Sequence, residues 1–169
     1  MAIFSNQEFN SLEDLFINQI EDLYDAEHRI VRALPKMSEA AHSQDLKRAF
    51  DKHLAETRQH VDRLDAIFRE IKKTPERETC EAMKGLLREA EEMVGAKGDP
   101  SVRDAALIAA AQRVEHYEMA GYGTASALAL HLGHNEAARL LQMTLEEEKS
   151  ADRKLTEVAE SEVNVHALH

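Results

Sequence analysis

Four helix-forming stretches of this chain carry acids or histidines on stripes that ought to be apolar: Glu27 in the first, His53 and Glu56 in the second, Glu115 and Glu118 in the third, and Glu147, Glu148 and Asp152 in the fourth. An ionised carboxylate is costly to bury alone, so several in one core need a shared cation or shared protons. Helical residues three, four or seven apart share a face. His53, Glu56 and His60 therefore project together, as do Glu115 and Glu118, and Glu148 and Asp152, with Glu147 one position round. Hard oxygen ligands with a few imidazoles suit two iron ions, or manganese or a mixed pair, and disfavour copper. Inward Glu and His on a helical bundle are the construction of such a dinuclear centre. The match to the usual di-iron spacing is partial: no Glu-x-x-His occurs on the second or fourth helix. His53-x-x-Glu56 reverses the order, Glu56-x-x-x-His60 stretches it, and Asp152 stands where a histidine is usual. The spacing leaves open whether His53 or His60 is a ligand, and whether Glu147 or Glu148 bridges.

The elements that must position these residues are legible from periodicity and caps. Ser11 precedes Leu12 as an N-cap, with Glu13 and Asp14 where the helix dipole favours acids. Phe16, Ile20, Leu23, Glu27, Ile30 and Leu34 then recur on one stripe, and Pro35 is expected to kink this helix rather than end it. After a break at His42–Asp45, a second helix is striped by Leu46, Phe50, His53, Thr57, Val61, Leu64 and Phe68 and ends before Pro75. Residues 78–96 read as a shorter amphipathic helix that includes Cys80, and Ser101 reads as the cap of a third long helix. That helix carries Ile108, Ala111, Glu115, Glu118, Tyr122, Ala125 and Ala129. Beyond Gly133-His134-Asn135, the fourth carries Leu141, Thr144, Glu148, Asp152, Leu155 and Ala159. The spacing predicts an all-α fold: one domain over residues 1–169, an antiparallel four-helix bundle whose long crossover contains a short fifth helix, the ferritin-like arrangement. Laying the second half of the chain over the first sets Glu27 on Glu118 and Glu56 on Glu147, so two hairpins about a pseudo-twofold axis would bring their acids together at mid-bundle.

Composition agrees with helix and narrows the partners. Hydrophobic residues make up 43% and charged residues 31% of 169, with only six glycines and three prolines, which favours helix over a sheet built on tight turns. A formal net charge of −11 argues against a nucleic-acid partner held through its phosphates. The opening MAIFSNQEFNSLEDLF lacks the basic and apolar pattern of a signal peptide, and no run is long enough to span a bilayer, so a cytoplasmic protein without a membrane partner is expected. Cys80 is the only cysteine, which excludes an intrachain disulfide and a cysteine-built iron–sulfur site. His28, His42, His116, His131, His134, His166 and His169 read as surface or cap residues. Tyr24, Tyr117 and Tyr122 lie beside the suspect acids and read first as core fillers.

The run Asp104-Ala-Ala-Leu-Ile-Ala-Ala-Ala-Gln-Arg-Val-Glu-His-Tyr-Glu118 followed by Tyr122-Gly123-Thr124, together with His53-Leu-Ala-Glu-Thr57, Leu23-Tyr-Asp-Ala-Glu27 and Thr144-Leu-Glu-Glu-Glu-Lys149 with Asp152, resembles the YciE/YciF-type bacterial stress-protein family. The resemblance covers nearly the whole chain, including the Cys80-Glu-Ala-Met83 crossover. It implies a ferritin-like, rubrerythrin-like fold, a dinuclear metal centre and a homodimer. By the same resemblance Glu27 matches the first-helix glutamate, Glu115 and Glu118 the third-helix Glu-x-x-Glu, and Glu56 with Glu148 or Glu147 the bridging pair. The rubredoxin tail of rubrerythrins is absent, so an inbuilt electron donor is not expected.

Three functions follow as expectations. The first is a di-iron oxidoreductase reacting with oxygen or peroxide, and the second is a stress protein that holds metal without turnover. The third is a structural bundle whose inward acids are balanced by arginines such as Arg29, Arg32, Arg58, Arg63 and Arg113.

Overall fold

The Ser11 hydroxyl accepts the Asp14 N–H and starts α1, Leu12–Ala40, which runs through Pro35 without ending. The computed structural model describes residues 8–75 and 79–168; the MAIFSNQ start, Glu78 at the head of the predicted crossover helix, and His169 lie outside the described residues. Ser43 caps α2, Gln44–Glu70, by accepting the Leu46 N–H. The crossover carries α3, Glu81–Val94, and is followed by α4, Pro100–Leu132, and α5, Asn135–Val158. α1 packs along α2 and α4 along α5, while α1·α4 and α2·α5 contacts close the bundle; α3 lies against α1 and α4. The architecture is the all-α, ferritin-like bundle with a helical crossover.

Several local expectations are corrected. The cap of α4 is Asp99, not Ser101: its Oδ1 accepts the N–H groups of Ser101 and Val102, and Pro100 supplies the preset φ of the first helical residue. Cys80 is not inside the crossover helix but caps it, fully buried, with its Sγ accepting the Met83 N–H and its own N–H donating to Asp25 Oδ2 at 2.9 Å. Burial pushes its thiol up to about 11. On α2 the buried stripe runs through His60 rather than Val61, which is only half-buried. The last helix does not simply end near Ala159: the chain widens into a π-helix, Ala159–Val163, and a final turn α6, Asn164–His166. No helix among the described residues is long and apolar enough to cross a membrane.

The apolar core is in two parts. One cluster gathers Leu34, Met37, Phe50, Leu107, Ile108 and Leu155; the other gathers Phe16, Ile20, Leu64, Phe68, Ala129 and Leu141. Every long helix passes from one cluster to the other. Between them, at mid-length, lie Glu27, His53, Thr57, His60, Glu115, Glu118, Thr144 and Glu148, all buried.

Just beside this layer α1 and α4 come close at Gly121, where a Cβ would stand 2.9 Å from Leu23 Cδ2; at Gly123 the nearest atom would be 3.9 Å away. Gly121→Ala is therefore expected to destabilise by about 1–3 kcal/mol through overpacking. Gly123→Ala, with room for its methyl in mid-helix, is expected to stabilise by up to about 1 kcal/mol. Urea unfolding of the two variants checks the contrast, and equal effects would refute the close approach.

Candidate metal centre

Helical spacing brings the layer together. α1 contributes Glu27, α2 contributes His53 and His60 two turns apart, α4 contributes Glu115 and Glu118, and α5 contributes Glu148. Two groups of ligand-type atoms result, His53–Glu115–Glu118–Glu148 and Glu27–His60–Glu148, each with its atoms within 4.8 Å of one another. Glu148 is common to both. His60 Nδ1 lies 3.1 Å from Glu27 Oε1 and 3.0 Å from Glu148 Oε1, and His53 Nε2 lies 3.2 Å from Glu115 Oε1 and 3.7 Å from Glu148 Oε2.

These atoms are close without being aligned for hydrogen bonds. Glu27 Oε2, Glu115 Oε2, both oxygens of Glu118, both of Glu148, His60 Nδ1 and both ring nitrogens of His53 have no hydrogen-bond partner. Buried polar atoms almost always find one, so this concentration calls for either shared protons or an added cation. Glu118 is the extreme case. It is fully buried, burial pushes its carboxyl well above the usual range, and the negative charges of Glu27, Glu148 and Glu115 push it further. Glu115 is raised well above its usual value by burial, which outweighs the attraction of His53. Burial likewise raises Glu27 against His60, while Glu148, squeezed between both imidazoles, is lowered despite its burial. Burial alone would depress the histidines. Glu115, Glu56 and Glu148 together outweigh it at His53, which rises to about 9, and Glu27 and Glu148 together outweigh it at His60, which rises to about 11.

The arginine-balanced alternative finds no support at these acids. Among the described residues no Lys or Arg forms an ion pair with Glu27, Glu115, Glu118 or Glu148; Arg29 pairs with Asp25, and Arg63 with Glu147. A donor set of four carboxylates and two imidazoles, with no Lys or Arg paired to those acids among the described residues, fits one or two hard divalent cations.

Of the residues singled out in the sequence, Glu27, His53, Glu115, Glu118 and Glu148 converge, and Glu56, Glu147 and Asp152 stand outside both groups. Glu56 lies behind His53, its Oε2 3.9 Å from Nδ1. His53, with the Lys52 ammonium 2.7 Å away, holds the Glu56 carboxyl down at about 2 against the cost of burial. Glu147 accepts His60 Nε2 at 2.9 Å and is clamped by Arg63 at 2.5 and 2.9 Å, which lowers its carboxyl. Asp152 faces outward to Gln112 and His116. For Glu147 the helical sum explains this: one position round from Glu148 is already 100° away, on the side of α5 that meets Arg63. His60 is brought in fully, so both imidazoles of α2 face the layer, as their seven-residue spacing allowed. Tyr122, read first as a core filler, donates its hydroxyl to Glu27 Oε1. Tyr24 donates to Asp65, and Tyr117 to Asp22 beside Cys80, so neither hydroxyl bonds an acid of the layer.

The chain is similar in sequence and fold to known proteins. The family profile described as DUF892, domain of unknown function, matches residues 11–168. Protein YciF of Escherichia coli K12 is 47% identical over 158 residues, covering 93% of this chain and 95% of that protein. The crystal structure of the E. coli stress protein YciF superposes with a TM-score of 0.89 at 46% identity, covering 92% of this chain and 99% of that one. YcfI of Rhodopseudomonas palustris, described as a candidate structural protein, superposes with a TM-score of 0.86 at 43% identity, over 90% of this chain and 98% of that one. A Xanthomonas campestris protein at 18% identity shares the fold, with a TM-score of 0.72 over 93% of this chain and 96% of that one.

An uncompensated buried carboxyl costs stability when no cation is present. Glu118→Met, similar in volume, is expected to stabilise chelator-treated protein by about 1–4 kcal/mol in urea unfolding. A loss of stability instead would mean that Glu118 is already satisfied.

Proposed function

This chain belongs to the YciF-type family described as DUF892, and from its buried layer we propose that it is a stress-associated protein holding two ions of iron, or of manganese, between Glu27, His53, His60, Glu115, Glu118 and Glu148. The observation that carries this reading is Glu118: a wholly buried carboxyl with neither oxygen bonded, among neighbours that are themselves acids. Bound there, such ions would supply Lewis acidity and electrons for reaction with dioxygen or peroxide.

The chain's own groups are arranged to serve such ions. His60 donates Nε2–H to Glu147, so on losing its second proton it keeps that bond and turns the Nδ1 lone pair inward. Arg63 holds Glu147 in place for this task, a carboxylate–imidazole support of the kind that fixes the tautomer of a ligating histidine. Glu56 stands in the same relation to His53, more loosely. Tyr122 orients Glu27, leaving Oε2 for a ligand. Glu148, the one residue common to both groups, would be offered to both ions, and the two apolar clusters keep bulk water from either end. A cavity of about 20 Å³ bordered by Ala49, His53, Glu115 and Ala151 offers room for one water-sized molecule at the layer's edge.

A second reading, a structural bundle held by shared protons, draws on the raised histidines and on the description of the R. palustris relative. Elemental analysis of protein purified without chelator separates the two. About two equivalents of iron or manganese are expected, and less than about a tenth of an equivalent of any transition metal, unchanged on incubation with ferrous or manganous ion, would leave the structural reading standing.

Proton release gives an independent check. The surrounding carboxylates raise His53 to about 9 and His60 to about 11, above their ordinary 6.5, so without metal each ring carries its second proton at pH 7. Loading with Mn²⁺ is expected to expel at least these two protons and to tighten as pH rises from 6 to 8, measured calorimetrically in buffers of different ionisation enthalpy. Uptake without proton release would remove the histidines from the ligand set.

A further inference from the structure

On the other side of α1 from the layer, α1 and α3 bound a groove of about 650 Å³. Its rim differs from the rest of this acidic chain: Arg29, Arg32, Lys36, Lys84 and Arg88 line it against only Glu81 and Glu91. Both acids are already neutralised, Glu81 by Lys84 and Glu91 by Lys36, and Arg29 pairs with Asp25. Arg32 and Arg88 have no partner among the described residues, and both are exposed. Two unpaired guanidiniums facing one groove, on a chain of net charge −11, concentrate positive potential where the remaining surface repels anions. The floor between them is apolar, formed by Met37, Leu87, Ala90 and Val94.

Gly85 adds an observation of a different kind. It lies inside α3, where glycine costs about 1 kcal/mol relative to alanine. No protein atom accounts for it, since a Cβ there would meet nothing within 4 Å. It lines the same groove, so the bare backbone leaves space on the side where a ligand would lie rather than where another helix packs.

We propose that the α1–α3 groove binds a small organic phosphate, with its phosphate between Arg32 and Arg88 and its apolar or aromatic body over Gly85 and the Met37–Leu87 floor. Guanidinium forks match phosphate oxygens in pairs, which favours this head group over a monocarboxylate. The volume lies within the range of small-molecule sites, roughly 300–1,000 Å³, and is too small for a polymer footprint. This site is independent of the metal layer.

The test is a fluorescence titration of the full-length protein with flavin mononucleotide as probe, against riboflavin, which lacks only the phosphate, and with inorganic pyrophosphate as competitor. Saturable binding of flavin mononucleotide is expected, at least tenfold tighter than riboflavin, displaced by pyrophosphate, and weakened tenfold or more in Arg32→Ala/Arg88→Ala. Gly85→Leu, which fills the groove from an open position, is expected to abolish binding while helical circular dichroism and metal content stay unchanged. No saturable binding, equal affinity for riboflavin, or undiminished affinity in the folded variants would overturn the proposal. So would a rise in light-scattering mass lost in Gly85→Leu without flavin binding, which would assign the groove to a second copy of the chain.

Discussion

A slab of unsatisfied polarity across the middle of the bundle is the constraint on which the rest of the structure depends. Four carboxylates and two imidazoles are buried there, and among them only His53 and His60 can bear positive charge without an added ion. Hydrophobic burial on either side has to outweigh the cost of removing these groups from water. The two apolar clusters, anchored by aromatic and branched residues at both ends of the long helices, provide that counterweight.

The layer is asymmetric in how it is supported. The His60 side is tightly held, since Glu147 is gripped by the two terminal guanidinium nitrogens of Arg63, one of which also donates to Thr144. The His53 side is looser, its outer acid 3.9 Å away and occupied with Lys52. The loose side is also the one beside the small cavity, while Tyr122 seals Glu27 on the tight side. Rigidity and access are thus divided between the two half-sites.

Much of the fold was legible because α1 and α2 carry a clean three-and-four spacing and α1 opens on a polar cap at Ser11, while the cap at Ser43 shows in the sequence only as a break in the pattern. The inward acids were legible for the same reason: Glu27, Glu115, Glu118 and Glu148 occupy positions on stripes that are otherwise largely buried. Periodicity resolves a face only to about a third of a turn, which is why Glu56, Glu147 and Asp152 were grouped with residues they support or merely adjoin. The roles of Arg63 and Tyr122 depend on helices distant in sequence, and spacing within one helix carries no trace of them. Asp99 took the cap from Ser101 because Pro100 fits only the first helical turn, and Cys80 took a capping position seldom held by sulfur.

The division of the core into two apolar clusters with a polar slab between them also determines which alignment of the four helices is admissible. Leu, Ile, Phe and Ala contacts alone discriminate poorly between one alignment and another displaced by a turn, about 5.4 Å. Here such a slide of α4 would carry Glu115 or Glu118 out of the slab and in among the side chains around Phe16 or Phe50. The buried polarity, unfavourable in itself, thereby acts as a vernier: it favours the setting of the bundle in which the acids meet the two imidazoles, and makes each neighbouring setting worse by a carboxyl left among apolar side chains.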